Sequence, residues 1–283
     1  MKNLFAFSKD LSINNYNQFI VRKISAESDE KFNSICEEGD NLAKTKLAPS
    51  WLMYGSLIAA IIALMGMVAM FAAKDGFMHA LETRGFVFYI CCGVFVVGLI
   101  IFILCYRKTK KGYVDPEVGD YLKRLNTIVG ELFSELEVPD SATRIDVFLE
   151  YTKLNKSGEQ KPKKLLINAC INQELHAFVE KDLFCLADSG SVIGIPVDSF
   201  KGIKKINKII QFPRWNKDVD FRSSEFKPYK VYFSNGNFAC KPYYEIDFEI
   251  EGEEHYFYIP GYDKERFVRA LGIQLPEINA SKK

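Results

Sequence analysis

Two stretches of the chain stay apolar for longer than a soluble core helix requires. Trp51 to Ala73 (WLMYGSLIAAIIALMGMVAMFAA) and Phe86 to Tyr106 (FVFYICCGVFVVGLIIFILCY) hold 23 and 21 residues without a charge. As helices they would reach about 34 and about 31 Å, the thickness of the hydrocarbon core of a bilayer. The pattern predicts a transmembrane helical hairpin over residues 49–108, with spans 51–73 and 86–106 joined by the twelve-residue loop KDGFMHALETRG. Some fifty mostly polar residues come first, which does not fit a cleavable export signal. Those residues, 1–48, read as a cytosolic segment ending in an amphipathic helix. Ser28 is its candidate N-cap, Phe32, Ile35, Cys36 and Leu42 share one side, and Pro49 stops it. A short strand around YNQFIVRKIS is a weaker element of the pattern.

Beyond the second span, residues 113–138 form an amphipathic connecting helix. Asp115 is the N-cap, Pro116 takes the first helical position, and Val118, Leu122, Leu125, Ile128 or Val129, Leu132 and Leu136 recur at helical steps up to Pro139. From Arg144 the period changes to two. RIDVFLEYTKL alternates Ile145, Val147, Leu149 and Tyr151; YYEIDFEIEG puts Tyr244, Ile246, Phe248 and Ile250 on one face and four carboxylates on the other. SNGN and EGEE read as compact turns. DKERFVRALG closes the series as a short helix with Asp263 as N-cap and Phe267, Leu271 and Val268 inward. Six or seven strands and one terminal helix make a single α+β domain over residues 144–275, followed by a tail, 276–283.

HAFVEKDLFCLADSGSVIGIPVDSFKGIKKI resembles the middle hairpins of PH-like and GRAM-like domains, and HYFYIPGYDKERFVRALG resembles their last strand and C-terminal helix. The resemblance covers Arg144 to about Leu275. With two spans in front, the whole chain is similar to two-span membrane proteins found in many Gram-positive bacteria. It implies a PH-like antiparallel β-barrel or sandwich closed by a C-terminal helix, with a lipid or peptide ligand; no catalytic residues come with it.

Charge orients the hairpin. Lys44 and Lys46 before the first span and Arg107, Lys108, Lys110 and Lys111 after the second outnumber Lys74 and Arg84 between them, placing both termini in the cytoplasm of a multi-pass cell-membrane protein. None of the seven cysteines lies in the connecting loop, and their spacing implies neither a disulfide framework nor a metal site. No Asp, Glu, Lys, Arg or His lies within either span, which disfavours an ion path. Ser56, Ala60 and Ala63, with Gly55, Ala59 and Gly66 beside them, form a small-residue face against which the second span could pack through Gly93 and Gly98, or through which two copies could self-associate.

Residues 113–283 carry 24 Lys and Arg against 27 Asp and Glu, a balance that excludes nonspecific nucleic-acid binding as the main role. Basic residues nevertheless crowd one stretch, and Lys201, Lys204, Lys205, Lys208, Arg214, Trp215 and Lys217 are the candidate contacts for lipid headgroups or a partner. Each Lys or Arg close to an anionic leaflet would contribute about 1 kcal/mol. The competing reading pairs this strip with the acidic one, Glu245 to Glu254, across the sheet or leaves both solvated. Trp215 is either a partner anchor or the cap of a barrel end. KLNKSGEQKPKK reads as a solvated loop, since it lacks the arginine that specific inositol-phosphate binding would want.

Three histidines far apart, and no HExxH, P-loop, GxSxG or dinucleotide turn, leave no catalytic, metal or cofactor assignment. His176 and Cys185 could face each other on a hairpin, but no third group orients them. The expectation is a noncatalytic interaction module held at the membrane, binding lipid or a membrane-protein partner. A structural subunit of a membrane complex, or an enzyme whose site has no familiar motif, are the alternatives.

Overall fold

The computed structural model describes residues 1–7, 15–72, 77–154, 160–162, 171–213, 223–229, 232–234 and 237–278. The chain divides into two units, Glu27–Val129 and a second made of Met1–Ala26 together with Gly130–Lys283.

Four helices account for the first unit: α1 (Ala26–Lys46), α2 (Ser50–Phe71), α3 (Phe77–Tyr113) and the first turns of α4 (Pro116–Glu135). α2 and α3 are each long and apolar enough to cross a membrane, and only 17% and 6% of their apolar windows are buried. They pack on one another through the expected small residues. Ser56, Ala60 and Ala63 are buried on α2, and a Cβ added at Gly98 of α3 would stand 2.8 Å from the Ser56 carbonyl oxygen and 3.1 Å from the Ala60 Cβ. Gly93, by contrast, faces open space.

Three boundaries differ from the sequence pattern. α1 starts at Ala26, ahead of Ser28, and the Ser25 N–H just before it donates to Glu135 Oε1 at 2.6 Å. Ile35 is buried on this helix, whereas Cys36 is exposed. Residues 77–83, assigned to the loop, are helical, with the break at Arg84 (φ −132°, ψ 18°), and α3 continues through the basic cluster to Tyr113. The local pattern marks where charge begins, not where backbone hydrogen bonds stop. α4 starts as expected, its Glu117 N–H donating to Asp115 Oδ1 at 3.0 Å. Other side chains of its first turns meet α1: Gly39 sits against the Tyr121 ring, Arg124 pairs with Glu38, and Lys46 pairs with Asp115 (3.0 Å) and Glu117 (2.7 Å), whereas Leu122 of the stripe is exposed and Leu136 is buried with Phe178, Cys185 and Val192.

In the second unit α4 ends before Pro139. Glu137 turns left-handed (φ 56°), its N–H donates to Ser134 O, and the Val138 N–H donates to Phe133 O, a Schellman arrangement. The strands are β1 (Lys2–Asn3), β2 (Ala6–Phe7), β3 (Ile20–Lys23), β4 (Thr143–Leu154), β5 (Gln160–Pro162), β6 (Ile171–Glu180), β7 (Leu183–Ala187), β8 (Ser191–Pro196), β9 (Phe200–Ile206), β10 (Ile210–Pro213), β11 (Tyr232–Ser234), β12 (Asn237–Cys240), β13 (Tyr243–Ile250) and β14 (Glu253–Pro260), with α5 (Lys264–Leu271) after them. The main antiparallel sheet runs β3-β8-β7-β6-β4-β14-β13-β9, and β10-β12-β11 form a second sheet. Tight turns set the register. Glu251 and Gly252, both at positive φ, join β13 to β14, and Asp188 Oδ1 accepts the Gly190 and Ser191 N–H groups between β7 and β8.

The sheet is not a closed barrel. β8 and β9 adjoin in sequence but end the path on opposite sides, because β3 takes the β8 edge and residues 276–278 take the β9 edge. A Cβ at Gly194 would touch Val21 at 2.9 Å, so β8 carries glycine where β3 crosses it. The β8 edge is thereby covered by β3, and the β9 edge is met at Ile203 alone among the described residues.

The N-terminal residues are part of this sheet, a role their sequence does not announce. β4 and β14 are paired at Tyr258 and Phe148, and β1 and β2 add in parallel to β14 and β4 respectively. The Leu4 N–H donates to Tyr256 O and the Glu150 N–H to Phe5 O. Leu4 and Phe5 join a core that includes Val147, Phe184, Ile246, Phe257, Phe267 and Leu271. A second cluster of Phe148, Phe212, Phe226, Cys240 and Tyr262 lies toward the small sheet.

Candidate functional site

Alternation along β13 turns Tyr244, Ile246 and Phe248 into the core and leaves Glu245 and Asp247 on the other face. On that face Glu245 stands opposite Lys204 and Tyr258, and Asp247 opposite Gly202 and Tyr256. β4 contributes Glu150 and β1 contributes Asn3. Lys204 Nζ donates to Glu245 Oε1 at 2.7 Å, the Tyr256 hydroxyl donates to Glu150 Oε2 at 3.3 Å, and Asn3 Nδ2 donates to the same oxygen at 3.1 Å. Asn3 Oδ1 accepts the Phe5 N–H at 2.9 Å, which fixes the turn that carries the N-terminus into the sheet. The result is a polar row of acids and phenols on β4, β13 and β14, flanked by Asn3 of β1 and Lys204 of β9.

These carboxyls are not the solvated face that their sequence suggests. Glu245 is buried and Asp247 half-buried. Burial, with Glu245 beside it, pushes the Asp247 carboxyl up to about 6, and burial raises Glu150 above its ordinary range. Tyr256 and Tyr258 are raised by burial and by the neighbouring phenol and carboxylates, so both phenols stay protonated. The hydrogen bond from Lys204 to Glu245 raises the Lys204 ammonium.

A second polar cluster is interior at Asp146, Tyr262 and Asp263 and reaches the surface through Arg266 and Glu225. The Tyr262 hydroxyl donates to Asp146 Oδ2 at 2.9 Å, Asp263 Oδ2 accepts the Asp146 N–H at 2.8 Å, and Arg266 reaches Asp263 Oδ1 at 3.1 Å and Glu225 Oε1 at 2.6 Å. Asp263 therefore does not cap α5 with its side chain: its carboxylate is engaged across the fold instead. Burial and the adjacent Asp146 push it up to about 7. Cys240, buried beside this cluster, has its thiol pushed up to about 12 by burial and is no nucleophile at neutral pH.

The candidate contacts predicted from sequence separate into two groups. Lys204 is tied to Glu245 and Lys201 lies 3.5 Å from Glu249, so two members of the basic strip pair with the acidic one across β9 and β13. Lys205 and Lys208 are exposed, while Arg214, Trp215 and Lys217 lie outside the described residues. In KLNKSGEQKPKK, Lys153 pairs in register with Lys161 as β4 and β5 form a hairpin, and Lys156, Lys163 and Lys164 lie outside the described residues. His176 and Cys185 are not opposite each other. His176 pairs with Ala187 and its ring rests 4.4 Å from Phe133, while Cys185 pairs with Phe178 and is buried.

Among the described residues no group of three or more His, Cys, Asp or Glu side chains is placed to hold a metal ion. A small, partly open void by Phe5, Tyr16, Leu186 and Ser191 measures 10 Å³, room for about one water. Depressions of 520 Å³ beside α5 and 470 Å³ beside α1 are open to solvent. The acids and phenols thus form acceptors and donors fixed on a surface and within a packed interior. Comparison with family models, curated proteins and solved structures gives no match for the chain.

The tyrosines of the polar row were legible in HYFYIP, where His255, Phe257 and Ile259 take one face and Tyr256 and Tyr258 the other. Asn3 left no such trace, since it acts on a residue 147 positions away.

Proposed function

We propose that this chain is a two-span membrane protein whose split α+β domain is a noncatalytic interaction module, kept at the cytoplasmic face to bind a protein partner. One observation carries the reading: α2 and α3 expose Ile58, Ile61, Ile62, Met65, Val68, Val96, Val97, Ile100 and Leu104 over lengths that match a bilayer core. Such a surface is unfavourable in water by roughly 25 cal/mol per Å² and costs nothing in hydrocarbon. The PH-like reading of the domain is supported by strand order, in which β4, β6, β7 and β8 follow one another outward from β4, β9, β13 and β14 lead back to it, and α5 follows the last strand. Within it Lys204 bonds to Glu245, Tyr256 to Glu150 and Tyr262 to Asp146, an arrangement suited to a rigid recognition surface.

Anchoring raises the concentration of the domain near anything else bound to the membrane. Co-purification of the tagged full-length chain from native membranes in mild detergent, against a control containing residues 27–129 alone, tests this function. A protein partner enriched only with the full chain is the expected result. Recovery of the full chain in the soluble fraction without detergent would overturn the membrane assignment. Enrichment of lipid alone would make the domain a headgroup reader instead.

A further inference from the structure

Beyond α5 the chain turns at Gly272 in the left-handed conformation (φ 76°) and returns alongside β9, opposite β13, to form a parallel bridge between Glu277 and Ile203. The Ile203 N–H donates to Pro276 O at 3.0 Å, the Ile278 N–H donates to Ile203 O at 2.9 Å, and Glu277 pairs with Lys264 on α5. The floor of this contact is a missing side chain. A Cβ at Gly202 would meet Ile278 Cδ1 at 2.6 Å and Pro276 O at 2.9 Å, so Ile278 lies over β9 only because residue 202 is glycine. Lys205 stands close enough to act on Glu277 together with Lys264, and both hold its carboxyl below the usual range. Alongside, Lys264, Val268, Arg269 and Ile273 wall the open depression of 520 Å³.

We infer that the β9 edge, between Gly202 and α5, is a docking strand for an extended segment of a partner protein that carries an acidic residue flanked by apolar ones, and that Pro276–Ile278 occupies it in cis. The inference rests on the interaction-module reading and names its site. Its chemistry is read from the segment already seated there: main-chain bonds from the ladder, an aliphatic side chain over Gly202 and a carboxylate between two lysines. The cis contact is built to yield. Only Ile203 of β9 exchanges main-chain bonds with the segment among the described residues, and the ion pair is solvent-exposed and therefore weak. The short tether from Leu271 keeps the segment at high effective concentration, so a competitor must pair along more of β9 to displace it. This mode of recognition takes affinity from the sheet edge and selectivity from side-chain positions beside it.

The test uses a fluorescent peptide of residues 272–280, GIQLPEINA, titrated into the detergent-solubilised full chain and into a chain ending at Gln274. The shortened chain is expected to bind saturably and at least tenfold more tightly than the full chain, and Lys264→Glu in the shortened chain to weaken binding at least tenfold. Equal binding by the two chains, or indifference to Lys264→Glu, overturns the inference. Because shortening could disturb the fold, Glu277→Lys in the full chain is measured in parallel. It keeps every residue, should release the segment and raise peptide binding severalfold, and an unchanged affinity at an unchanged melting midpoint also counts against the site. A partner that co-purifies with the full chain while the peptide fails to bind would sink the docking strand and leave the module reading standing. Peptide binding without any enriched partner would do the reverse.

Discussion

At the residue scale the strongest constraints are buried titratable groups, and they pull stability in opposite directions with pH. Asp263, raised to about 7, favours its neutral form in the folded chain. Its contribution is therefore full below about pH 4 and is lost as pH rises through 7. Asp247, raised to about 6, acts in the same sense. His176 and His255 are lowered by burial, so their contributions are full above about pH 6.5 and are lost as pH falls below it. Asp263→Asn removes one carboxyl while keeping an acceptor for the Asp146 N–H. Relative to the parent, its apparent melting midpoint in detergent should improve between pH 5 and pH 8. Parallel curves for the two proteins would mean that Asp263 does not titrate across this window.

Among elements, the two helices of the hairpin and the N-terminal strands make unlike demands. The α2–α3 contact depends on close approach, so Gly98→Val should drive a side chain into the Ser56 carbonyl and cost about 1–3 kcal/mol. Gly55→Val on α2 meets nothing within 4 Å and serves as its control. Thermal aggregation in detergent should come earlier for the first variant only; equal behaviour would show that the helices do not pack through this face. Leu4, fully buried between β4 and β14, behaves as a core residue although it lies almost at the start of the sequence. Leu4→Ala should destabilise the domain by about 2–5 kcal/mol, visible as rapid proteolysis within residues 130–283. A proteolysis pattern that does not change would mean that the N-terminal strands are dispensable decoration on the sheet.

For the whole molecule, the division into units bears on the topology that a membrane hairpin would take. Residues 1–26 and 130–283 fold as one body, so the chain must leave that body and come back to it around residues 27–129. If α2 and α3 span a bilayer, the hairpin would begin and end on the side that holds this body, the arrangement that the lysine and arginine counts also predict. Cys36 is exposed and offers a natural reporter. In intact cells a membrane-impermeant maleimide should fail to label Cys36, while a Glu82→Cys substitution in a Cys36→Ser chain should be labelled from outside. Labelling of Cys36 from outside would reverse the orientation, and labelling of neither or both sites before lysis would count against the hairpin.

What the sequence determined by itself was everything that repeats at short range. The two apolar runs, the Ser56, Ala60 and Ala63 stripe, the cap at Asp115, the alternation of β13 and β14 and the turn at Glu251 and Gly252 all follow from neighbours within a few residues, where helical and strand periods leave direct marks. The structure alone decided what depends on distant partners: that Leu4 and Asn3 complete a sheet whose other strands begin at Thr143, that Asp263 holds Asp146 rather than capping its own helix, that Lys201 and Lys204 are drawn into pairs across β13, and that β3 and residues 276–278 hold the edges open as a sheet instead of a barrel. Those contacts join segments far apart in the chain, and closing such loops leaves no periodic trace in the residues that meet.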